Sequence, residues 1–219
     1  MNINKRLIPL LSILFVLLAV SINSSCSHKN ESDVKNVVKT ELDQLKNLDS
    51  ETTQKYIPYT ELFPDATENT DLSDEITETF SLFFRKFDYK ISDVSISAAN
   101  NSATVSVKLT TINSQILARD FKTELLQTQI TEAAQAQTGS TKDSSRSLEA
   151  HYLILNHLLN TNEYDTAETN CSIQLVNTGN NKKEKWKIQR TNSLEDDLVG
   201  GLIADLADPD ILSPEDTLT

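Results

Sequence analysis

Two cysteines, three histidines and a surplus of acids are the residues from which this chain could build chemistry. Cys26 stands in "AVSINSSCSHKN", where an apolar run gives way to small and polar residues just before the thiol. Cys171 stands in "NCSIQLV", whose alternation puts Cys171, Ile173 and Leu175 on one face of a strand. A reactive thiolate needs cations or a helix N-terminus beside it. The surroundings of Cys171 supply neither, so it reads as a small buried hydrophobe. His151 and His157 lie six apart on a helical stretch, about 240° around the axis, and cannot share a metal on one face. They read as polar-face residues, and His28 as a solvated one. The 32 acids fall on helix faces and in the C-terminal tail rather than in apolar strands, where burial would tune their pKa. No G-x-S-x-G, P-loop, C-x-x-C or G-x-G-x-x-G pattern occurs. The expectation is a non-enzymatic chain with no catalytic residue, metal ligand or cofactor site.

What remains is chemistry done to the chain. Lys5 and Arg6 form a basic start, and Leu7 to Ile22 is a 16-residue apolar run. A membrane-spanning helix wants about 20 apolar residues, and Pro9 shortens this run further. Small residues Ser24 and Ser25 then precede Cys26, the layout of an export signal. The ending resembles the lipobox of bacterial lipoproteins, in which an aliphatic residue and two small residues precede a Cys that receives a diacylglycerol and becomes residue 1. Ser24 and Ser25 match the small positions; Asn23 stands where an aliphatic residue belongs, with Ile22 one place early. An uncleaved N-terminal anchor and ordinary secretion are the alternatives. The resemblance implies lipidation of Cys26, with the membrane as partner through the lipid. Two acyl chains, at about 0.8 kcal/mol per buried CH₂, suffice for stable anchoring.

Charge excludes other partners. The formal net charge of -12 becomes -14 once Lys5 and Arg6 are removed with the leader. Such a surface repels phosphate backbones and anionic headgroups, so nucleic acid is not an expected partner.

Apolar spacing places the elements. Residues 32–48 carry Val34, Val37, Val38, Leu42, Leu45 and Leu48 on one helical face, with Ser32 as N-cap. A short helix should end before Pro58. Tyr56, Tyr59 and Phe63 nearby fit a loop packed on the core better than an aromatic ligand clamp. Residues 71–89 form a Phe-rich helix capped by Asp71 or Ser73. Tyr89–Ile96, across a bulge, and Ala103–Leu109 alternate as a hairpin turned at "ANNS". Helices over 114–137 and 145–160 follow, then a second hairpin from about 163 to "EKWKIQRTN". One helix is expected over 193–208, opened by a Ser193/Asp196 capping box, with Gly200-Gly201 inside it.

This order resembles small lipoproteins of Gram-positive bacteria that carry a nuclear transport factor 2-like (cystatin-like α+β) domain. The residues that carry the likeness are Cys26, "ISDVSISAANNSATVSVKLTT", "EKWKIQRTNS" and "LVGGLIADL". It implies an α+β fold, with helices packed on one curved, cone-like antiparallel sheet of about four strands in two hairpins. The expected organisation is a signal peptide (1–25), a lipidated Cys and flexible tether (26–31), one domain (32–208) and an acidic disordered tail (209–219). The expected place is the outer face of the cytoplasmic membrane. The expected role is to bind a small molecule, a peptide or an envelope protein. An enzyme using the cone's pocket and a structural or dimerisation module are the alternatives.

Overall fold

The computed structural model describes residues 30–57, 62, 63, 66, 73–97, 99, 101–136, 147–179 and 185–212. Cys26, the apolar run before it and Tyr59 lie outside them. The fold is α+β, with seven helices and one open antiparallel sheet of four strands among the described residues.

Helix α1 (30–46) buries Val34, Val38, Leu42 and Leu45 and half-buries Val37, whereas Leu48, expected on the same face, lies beyond the helix and is exposed. It is already helical at Asn30, within the expected tether, so Ser32 is an exposed residue inside the helix rather than its cap. Its far end closes with two backbone bonds, Leu48 N–H to Leu45 and Asp49 N–H to Gln44, and Leu48 takes a left-handed φ of 61° there. The Asp49 carboxylate then caps α2 (Ser50–Tyr56) by accepting the Thr52 N–H at 2.8 Å. Helix α2 stops ahead of Pro58, as expected. Helix α3 (Ser73–Phe83) runs into a 3₁₀ turn (Phe84–Lys86) that buries Phe84. Asp71, one of the two expected caps, is outside the described residues.

Strands β1 (Asp88–Ser97) and β2 (Ser102–Ile112) form the first hairpin, with the predicted bulge between Ile91 and Asp93. Asn101 turns it at a φ of 48°, a conformation asparagine tolerates. Helices α4 (Ser114–Ala136) and α5 (Leu148–Thr161) connect it to the second hairpin, β3 (Thr166–Asn177) and β4 (Trp186–Ile188). The strand order is β1-β2-β3-β4, antiparallel throughout.

One face of the sheet is apolar: Ala103, Val105, Val107 and Leu109 of β2, with Cys171, Ile173 and Leu175 of β3, are all buried. The 3₁₀ turn packs on β2, while α3 and α4 pack on α5. The opposite face carries Glu168, Asn170, Ser172 and Gln174, all exposed.

The C-terminal helix departs from expectation. It is two helices, α6 (Asn192–Leu198) and α7 (Leu202–Ala207). Gly200 and Gly201, at φ of 68° and 92°, break it. A Cβ on Gly200 would sit 2.2 Å from Thr111 Oγ1, so the backbone lies closer to β2 than any side chain permits. The break lets α6 pack on β2 and β3 while α7 packs along α4. The cap is Thr191, whose hydroxyl accepts the Leu194 N–H, and not Ser193. Asp196 instead accepts the Ala204 N–H across the break. Beyond α7, Ile211 still packs against the core, so order extends into the expected tail.

Candidate functional site

Where β2 ends and α5 turns back into β3, three segments meet around a shallow cleft. Leu82, Arg85 and Lys86 come from the end of α3 and its 3₁₀ turn, Ile112 from the end of β2. Leu159, Asn162, Glu163 and Tyr164 come from the last turn of α5 and the chain leaving it. The sequence reading missed this grouping. Its only local signs are a basic pair, Arg85-Lys86, after the Phe-rich helix and the polar run "NEYD" after α5.

The floor is apolar and the rim charged. Lys86 Nζ donates to the Tyr164 carbonyl at 2.6 Å, tying the turn to the loop. The Tyr164 hydroxyl donates to Asp120 Oδ2 at 3.2 Å and accepts from Asn162 Nδ2 at 3.1 Å. Burial holds the Tyr164 phenol above its usual range, and the Asp120 carboxylate adds to this. Arg85 and Glu163 are exposed at the rim. The cleft holds about 80 Å³. Pockets that enclose a small molecule run to about 300 Å³ or more. This one has room for a single small group, with the cations Arg85 and Lys86 beside it and Leu82, Ile112 and Leu159 as its apolar lining.

A second polar grouping lies where α6 meets β3. Cys171 is buried and free. Burial, and then the nearby Asp197 carboxylate, push its thiol up. Loss of water likewise raises Asp197, against the opposing influence of the Cys171 thiol. Glu195 is buried as well and pairs with Arg190. These two acids depart from the expectation that carboxylates stay on solvated faces: α6 packs on β2 and β3, which buries Glu195 and half-buries Asp197. A thiol held protonated beside a carboxylate is a poor nucleophile.

The other singled-out residues fall into the core or onto the surface. Tyr56 and Phe63 are buried, and Phe63 stacks on Phe121 at 5.1 Å and meets Tyr152 edge-on at 5.3 Å. They pack as core. His157 is exposed, as read. His151 is not on a polar face: its ring sits 5.0 Å from Phe63 and 5.6 Å from Phe121, and Nδ1 lies 2.8 Å from the Ser147 carbonyl. No helix among the described residues is long and apolar enough to cross a membrane.

No protein-family model, curated protein or solved structure matches the chain.

Proposed function

We propose that the chain is a lipoprotein anchored through Cys26 to the outer face of the cytoplasmic membrane, where it displays a non-catalytic binding domain. The single observation that carries the reading is the order basic pair, 16-residue apolar run, Ser24, Ser25, Cys26. The nearness of the fold supports it. Asn30, already helical, is four residues from Cys26, a span of at most about 14 Å, so an anchored domain rides close to the bilayer. The cone-like curvature implied by the nuclear transport factor 2-like resemblance belongs to the same reading, and the β1 bulge is a feature that bends strands.

Within the binding function, a peptide or envelope protein fits better than a free small molecule. The cleft is too small to enclose a ligand, and the cations Arg85 and Lys86 in its lining favour one protruding acidic group.

Metabolic palmitate labelling, globomycin sensitivity and membrane fractionation test the anchor. Labelling and membrane retention are expected for the native chain, and loss of both for Cys26→Ala. Equal retention by the variant would overturn the lipid reading. Arg85→Glu tests the cleft separately. It should leave fractionation unchanged and abolish partner cross-links captured on intact cells; undiminished cross-links would remove the cleft from the site.

A further inference from the structure

The second hairpin is unequal. Strand β3 has 12 residues and β4 only three, paired at Leu175, Val176 and Asn177. The ladder fixes which backbone groups face outward. Asn177 N–H donates to Asn101 on the β2 side, whereas the Gln174 carbonyl accepts Gln189 N–H on the β4 side. Because strand groups alternate sides, the N–H and C=O groups of Thr166, Glu168, Asn170 and Ser172 point toward the β4 side, past the point where β4 has ended. No described residue bonds to them there. The side chains of all four are exposed.

Such a row is a template for another strand, and folds commonly blunt it with bulges, charges or prolines. The opposite edge is blunted: β1 carries a bulge between Ile91 and Asp93, flanked by Lys90 and Asp93. The β3 edge has no bulge, no proline and one charge, Glu168, already held by Lys108 at 2.9 Å.

We infer that this edge pairs with the same edge of a second copy of the chain, joining two four-stranded sheets into one of eight. The occupant follows from self-complementarity. An antiparallel pairing that uses the whole free stretch, Thr166 to Ser172, has its two-fold axis at Thr169. Thr166 then faces the second copy's Ser172, and Glu168 faces its Asn170. Hydroxyl meets hydroxyl and acid meets amide, and no like charges stand opposite. Beyond Ser172 the partner strand is stopped by Gln189 on Gln174, so the free length sets the register.

Sedimentation of the full chain in density-matched detergent, with hydrogen exchange on the same sample, tests this. The expected result is a dimer in which the Glu168, Asn170 and Ser172 amides exchange slowly. Asn170→Glu sets two carboxylates opposite one another on each side of the axis and should weaken dimerisation by about tenfold or more. Asn170→Pro removes an edge N–H without touching the β2 ladder and should do the same. Unchanged protection of the β2 amides would show both variants folded. A monomeric native chain, a dimer with fast-exchanging edge amides, or one indifferent to both substitutions would overturn the inference. Slow edge amides in a monomer would also overturn it, assigning the edge to another segment of the same chain.

Discussion

At the scale of single residues, burial decides more than residue type. Cys171 has the chemistry of a nucleophile, but its thiol is raised by burial and then by Asp197. It should resist alkylation at pH 8 in the native chain and react fully once unfolded, as mass spectrometry of the labelled protein would show. Asp197 is raised in the fold, so the folded chain holds that proton more tightly than the unfolded one. Its contribution to stability is therefore lost as pH rises from the ordinary carboxylate range through the raised value. Asp197→Asn keeps the side chain's size and removes the charge. It should raise the melting temperature at pH 7, with the gain vanishing below about pH 4. Gly200 is decided by contact as well as by φ. Gly200→Ala should cost about 2 kcal/mol or more, and Gly201→Ala less, because only the first meets Thr111. Denaturant midpoints would rank them.

At the scale of elements, the helix ends carry the local information. Ser147 caps α5 by accepting the Ala150 N–H at 3.1 Å, so Ser147→Ala should cost about 1 kcal/mol. Helix α1 ends with a left-handed residue in the position that glycine usually takes. Leu48, the residue there, is 42% exposed and has little packing to lose. Leu48→Gly should stabilise the chain by up to about 1 kcal/mol, read from the same midpoints. The break between α6 and α7 is the instructive difference from expectation. The apolar spacing of Leu194, Leu198 and Leu202 continues across it, and all three are buried. A helical period alone therefore cannot distinguish one helix from two that bury the same stripe against different neighbours.

At the scale of the whole molecule, charge and layering act together. Asp43, Asp49 and Asp88 are all held below the ordinary carboxylate range, chiefly by hydrogen bonds from Lys39, Thr52 and Lys46 respectively. Each contributes stability above that range and loses it as pH falls through the lowered value. Acid titration followed by circular dichroism should show stability declining below about pH 4. Among the described residues, the sheet also keeps a polar face and an unpaired stretch of β3 from Thr166 to Ser172.

The sequence by itself determined the α+β class, the two hairpins, the bulge in β1 and the inward faces of α1 and β2. Those depend on period, alternation and turn chemistry, which act between residues close in the chain. It also places Cys26 at the end of an export-like run, a property of linear order alone. Only the tertiary structure decided that Gly200 presses on Thr111, that His151 joins Phe63 and Phe121, and that Glu195 and Asp197 are covered by the sheet. It alone brought Arg85 and Lys86 to Asn162 and Tyr164. Each of these joins residues distant in sequence, and burial and proximity across such distances are set by how the layers pack rather than by any local pattern.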